Sequence, residues 1–127
     1  MNSYYANTCW FVPCVPLLTP SYTRQQEPRR FDLSFETAAK ENLGNGFTRY
    51  TWNPEVKIRR GEFIDFRLEA KKNEHVISAG FNTSRPLQNV SIVQLVPRHP
   101  HVMVIILHNE GTQNVDVSVW VVVKTAS

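Results

Sequence analysis

The sequence predicts an all-β chain: an antiparallel β-sandwich or jelly-roll-like domain of seven to eight short strands, preceded by an extended N-terminal arm. Three observations carry this. Apolar residues recur with a period of two in window after window. Turn residues separate those windows at short, regular spacing. One stretch alone, Thr37 to Asn42, passes as helical, for one or two turns at most.

The arm comes first. Residues 1–23 contain no charged side chain, carry Tyr4, Tyr5, Trp10, Phe11 and Tyr22, and are interrupted by Pro13, Pro16 and Pro20. Proline at that density forbids a helix and disfavours a central strand. A chain this apolar does not have the polar composition of a solvated disordered segment. It is expected to lie on its own domain or on a neighbour. A polar joint, Arg24 to Arg30, closes an arm of residues 1–30, and the sandwich takes residues 31–127.

Within the sandwich, Phe31, Leu33 and Phe35 alternate with Asp32, Ser34 and Glu36, and Gly44-Asn45-Gly46 ends the short helical stretch. Phe47 to Trp52 reads as a strand closed by Asn53-Pro54, with a short strand at Val56 to Ile58 and a turn at Arg60-Gly61. Ile64, Phe66, Leu68 and Ala70 form one face of the next strand, followed by a polar turn from Lys71 to Glu74. His75 to Phe81 and Val90 to Val96 follow, the latter ended by Pro97. His101 to Leu107 is apolar on both faces, so it belongs in the middle of a sheet. Val115, Val117, Val119, Val121 and Val123 share one face of the last strand.

Composition bounds the function. The chain has 127 residues and a net charge of +3, with 42% hydrophobic and 20% charged residues. That is ordinary for one globular domain and too mild for a dedicated nucleic-acid binder. The tract Cys9 to Leu18 is too short to cross a bilayer and makes a poor signal peptide, with no Lys or Arg before it. The chain is therefore expected to be soluble, intracellular or part of a virion, with Cys9 and Cys14 either free thiols or joined in a short local disulfide. Asn82-Thr83-Ser84 and Asn89-Val90-Ser91 match the glycosylation pattern, which means little without a secretory signal.

No enzyme is expected, and no catalytic or metal site is assigned. His99-Pro100-His101 has no third ligand, His75 and His108 stand alone, and Asp32, Asp65 and Asp116 fall on polar strand faces. There is no phosphate-cradling glycine loop and no nucleophile elbow. No cofactor is implied. Val56-Lys57-Ile58-Arg59-Arg60-Gly61-Glu62 and Val104-Ile105-Ile106-Leu107-His108-Asn109 resemble segments of trimeric dUTPases and their inactive viral relatives. In that family a strand follows a turn glycine and a late strand ends in an Asn-containing turn. The family's serine-containing nucleotide motif, aspartate–tyrosine pocket stretch and glycine-rich C-terminal loop are missing, so the resemblance implies a catalytically inactive relative.

Binding has more behind it. The pairs Arg29-Arg30, Arg59-Arg60 and Lys71-Lys72 could contact phosphates if two of them met, and Tyr50 and Trp52 beside Arg49 could stack on bases. A sugar ring could stack on Trp52 or Trp120, making a carbohydrate- or ligand-binding module the alternative function. Surplus apolar surface around Val102, Val104, Ile106, Trp120 and Val122 would be exposed in an isolated sandwich, which marks protein contact. The expected interface is therefore Tyr4, Tyr5, Trp10, Phe11, Val12, Leu17 and Leu18 of the arm, with Val102, Val104, Trp120 and Val122. The expected function is assembly, as a coat, decoration or protrusion subunit of a virus-like particle or other symmetric oligomer. Its partner is a second copy or another coat protein.

Overall fold

The structure is a computed structural model and describes residues 27–85 and 88–126. Among the described residues the chain forms eight strands. They are β1 (Arg29–Ser34), β2 (Ala39–Gly44), β3 (Phe47–Ile58), β4 (Phe63–Glu69), β5 (Glu74–Thr83), β6 (Val90–His99), β7 (Val102–Asn109) and β8 (Val115–Thr125). Two four-stranded sheets result, ordered β1-β4-β7-β6 and β2-β3-β8-β5. This is the all-β sandwich that the alternating windows predict.

The core follows from the alternation. Val115, Val117, Val119, Val121 and Val123 of β8 are all buried, as are Ile64, Phe66 and Leu68 of β4 and Met103, Ile105 and Leu107 of β7. Tyr50, Trp52 and Ile58 of β3 complete the layer between the sheets. Each such aliphatic side chain contributes roughly 1.5–3 kcal/mol over its exposed state. Stacked inner faces are what hold a helix-free domain together.

The order of strands in the two sheets fixes the flanks. β1 is parallel to β4, with Phe31 opposite Phe66 and Leu33 opposite Leu68, while every other pairing is antiparallel. The parallel pair arises because the chain leaves β1, makes the β2–β3 hairpin in the other sheet, and only then returns to β4. A single 3-10 turn, Phe35–Thr37, carries the chain between the sheets, with the Glu36 N–H donating to Ser34 Oγ. β1 and β2 therefore lie on one flank of the sandwich, and β5 and β6 on the other.

Three expectations are corrected. The helical stretch at 37–42 is instead the end of the 3-10 turn and strand β2, every residue of which is exposed. It has no core-facing stripe, and pairing with β3 through the Gly44-Asn45-Gly46 turn makes it a strand; all three turn residues have positive φ. Asn53-Pro54 does not end a strand, because β3 runs on to Ile58 through an irregularity between Trp52 and Val56. An irregularity is where a ladder accommodates proline. Nor does Pro97 end β6, which pairs with β7 up to His99. An edge strand needs no N–H on its outer side.

Candidate interaction surface

The β1/β2 flank is bridged by aromatic packing and a hydrogen bond. Phe31 stacks on Phe66 with ring centroids 5.8 Å apart, and Phe35 packs against Tyr50 at 6.4 Å. The Trp52 indole N–H donates to the Ser34 carbonyl at 2.8 Å, tying β3 to the end of β1. Trp52 is only 3% exposed. Its ring belongs to the core and offers no face to a sugar, which corrects the stacking role expected of it. Tyr50 is equally buried, so neither ring can stack on a nucleic-acid base.

The β5/β6 flank is open. Val76, Ala79 and Phe81 of β5 pair with Val123, Val121 and Val119, so they sit on the inner face, yet they are only partly buried. Across from them, Ile92 and Leu95 of β6 pair with the core residues Leu107 and Ile105. Each is nevertheless 41% exposed. Between them a register shift at Val93 pushes an extra apolar residue outward, 52% exposed, and a matching shift in β5 does the same to Ile77, at 55%. Four of the six large apolar side chains exposed among the described residues thus belong to this one pair of strands. The end near Ile77 is fixed, because the Val76 N–H donates to the Pro100 carbonyl at 2.7 Å.

The other expected contact residues are placed differently. Val104 is fully buried on the outer face of β7, between Arg67 of β4 and Val96 of β6 in register, and so presents no contact surface. Val104 itself is therefore not the exposed residue expected there. Val102, Trp120 and Val122 are half-buried. Tyr4, Tyr5, Trp10, Phe11, Val12, Leu17 and Leu18, together with Cys9 and Cys14, lie outside the described residues.

Polar clusters elsewhere are structural. Arg29 and the Arg59-Arg60 pair do meet, lining one recess at the start of β1. Arg29 is occupied there, its Nε and Nη2 donating to Glu62 at 2.5 and 2.9 Å. Burial alone would raise the Glu62 pKa, but the Arg29 guanidinium and the Arg59 N–H at 2.8 Å outweigh it and hold the carboxyl below its ordinary value. Tyr50 Oη donates to both oxygens of the buried Glu74, at 2.9 and 3.0 Å. Burial first, then the hydrogen bond and charge of Glu74, push the Tyr50 phenol up to about 12. Asn109 is fully buried, its amide donating to the carbonyls of Ile58 and Gln113 and accepting from the Gly111 N–H. It ties the β7–β8 hairpin to the end of β3.

His99 and His101 have ring centroids 6.0 Å apart, and Glu69 lies 3.9 Å from His101. Among the described residues no group of three or more His, Cys, Asp and Glu could hold a metal ion, and no helix is long and apolar enough to cross a membrane. What the sequence did not reveal is the open flank itself. Its signal is the broken alternation of Ile92-Val93-Gln94-Leu95.

No curated protein and no solved structure matches the chain. A family model described as YjdH matches residues 29–123, from the first residue of β1 to the last buried valine of β8. The matched span holds all of both sheets' paired core, and on that match the chain belongs to the YjdH family.

Proposed function

We propose that this chain is a non-enzymatic assembly module, most concretely a coat, decoration or protrusion subunit of a particle or other symmetric oligomer. The observation that supports it is the open β5/β6 flank, where Ile92 and Leu95 face inward yet remain 41% exposed. Monomeric domains seldom leave core-facing aliphatic residues uncovered beside further exposed ones. Edge strands are normally guarded by lysine or by a covering element, and β6 carries no charged residue from Val90 to Pro97. A partner that covers this flank completes the core.

Native mass by light scattering behind a sizing column tests the reading on nuclease-treated full-length protein. A discrete oligomer or particle is expected. A monomer of 14.6 kDa at all concentrations overturns it.

A further inference from the structure

We infer that the cleft between β5 and β6 receives the uncharged N-terminal arm of a second copy, so that subunits link head to tail. The inference rests on the assembly reading and names the partner that covers the open flank. Four features of the molecule lead to it.

The cleft is built for an apolar occupant. Val76 and Phe81 of β5 and Ile92 and Leu95 of β6 pair with core residues along this flank without being fully buried, and Ile77 and Val93 stand exposed beside them. A charged segment entering it would lose its hydration without gaining a partner. Residues 1–23 have no charged side chain, and Trp10, Phe11, Val12, Leu17 and Leu18 supply the apolar bulk. Pro13, Pro16 and Pro20 favour an extended course, the conformation that fits along an open edge.

The assembly reading, in which a partner covers the open flank, selects a neighbour over the same chain, and the strand order supplies a donor side and an acceptor side. The arm joins the sandwich at β1, and β6 lies at the opposite edge of the same sheet. Three strand spacings, roughly 14 Å, separate them. The β1 flank is bridged by Trp52, Phe31 and Phe35. An arm that leaves on one flank and a cleft that opens on the other make a donor side and an acceptor side. Such heterologous contacts close into rings or extend into larger assemblies. Twenty-three extended residues reach about 75 Å, ample for the crossing. Because β6 is bulged at Val93 and carries Pro97, side-chain burial dominates over added ladder hydrogen bonds.

The test uses two full-length variants. Ile92→Lys with Leu95→Lys blocks the cleft and keeps the arm, whereas Trp10→Asp with Phe11→Asp spoils the arm and keeps the cleft. Each alone is expected to sediment as a monomer in analytical ultracentrifugation. An equimolar mixture is expected to yield a 1:1 heterodimer, since one variant donates an intact arm to the other's intact cleft. A mixture that stays monomeric overturns the head-to-tail contact, as does either variant assembling like the unaltered protein. If the unaltered protein is itself monomeric, the assembly reading falls too; if it assembles while the cleft variant also assembles, only the present inference falls. Far-UV circular dichroism checks folding. Should the lysine pair fail to fold, Leu95→Thr replaces it, with at least a tenfold weaker association expected; unchanged association there counts against the inference.

Discussion

Trp120 of β8 and Gly80 of β5 stand directly opposite one another on the outer face of their sheet, and the indole occupies the space that a side chain at Gly80 would need. A Cβ built at Gly80 would lie 2.5 Å from Trp120 Cζ2 and 2.9 Å from Cε2. The glycine is thus required by its neighbour's ring and not by a turn. An aromatic laid over a strand glycine covers backbone that would otherwise be bare.

Gly80→Ala is accordingly expected to destabilise the domain by about 1–3 kcal/mol, the usual cost of forcing a packed side chain aside. Thermal melts followed by circular dichroism measure it. Gly80→Ala combined with Trp120→Leu should recover much of the loss, because the ring that obstructs the new methyl is gone. If the single variant melts like the unaltered protein, the ring does not depend on that space.

Much of this architecture is legible in the sequence, and the failures fall where the period of two is absent or broken. The five valines of β8 and the alternation of β4 announce their buried faces because each strand keeps an unbroken period of two. β2 is exposed along its whole length and has no period to read, so helix-compatible residues such as Ala38, Ala39 and Lys40 mislead. The open flank is hidden for the opposite reason. The extra residues at Val93 and Ile77 reset which neighbours face inward, and a shifted register is set by pairing across strands. Val104 is fully buried although its strand is apolar on both faces, and an alternation pattern carries no record of such burial on an outer face.

The Tyr50–Glu74 pair predicts a specific alkaline weakness. With the phenol held at about 12 in the folded protein against 10.0 for an ordinary tyrosine, the folded state keeps a proton that the unfolded state releases. Its contribution is complete below pH 10 and is lost as pH rises towards 12, at about 1.4 kcal/mol per pH unit within that window. Chemical denaturation between pH 9.5 and 11.5 should show this slope, and Tyr50→Phe should flatten it. At neutral pH the same substitution should cost about 1–3 kcal/mol, since Glu74 loses its phenol donor and keeps the Lys71 N–H at 3.0 Å. Parallel slopes for the two proteins would contradict the pairing.

Asn109 makes three hydrogen bonds through one side chain, and no smaller residue can replace it. Asn109→Ala strands the Ile58 and Gln113 carbonyls and the Gly111 N–H at once, at a cost on the order of 3 kcal/mol. Asn109→Asp should be worse, because a carboxylate would face two carbonyl oxygens where an amide N–H₂ now donates. Urea denaturation ranks the variants. The structure requires the order unaltered, then alanine, then aspartate, and aspartate equal to asparagine would refute it.

The Arg29–Glu62 pair links the first strand to the β3–β4 turn, and its pH dependence has the opposite sign to that of Tyr50. Arg29 reaches Glu62 with two donors and the Lys57 carbonyl with a third bond at 2.8 Å. Glu62 in turn receives the Arg59 N–H, so one carboxylate closes the turn and anchors the beginning of β1. Its pKa in the folded protein lies below the ordinary 4.5, and its stabilisation is therefore complete above that value. As pH falls through the folded pKa the carboxyl is protonated in both states and the contribution disappears. Glu62→Gln should lower the melting temperature near pH 7 and narrow its gap to the unaltered protein as pH falls below 4. Hydrogen exchange should localise the loss to Arg30 through Leu33, where β1 pairs with β4. A gap that stays constant from pH 7 to pH 3 would show that the charge of Glu62 does not hold β1 in place.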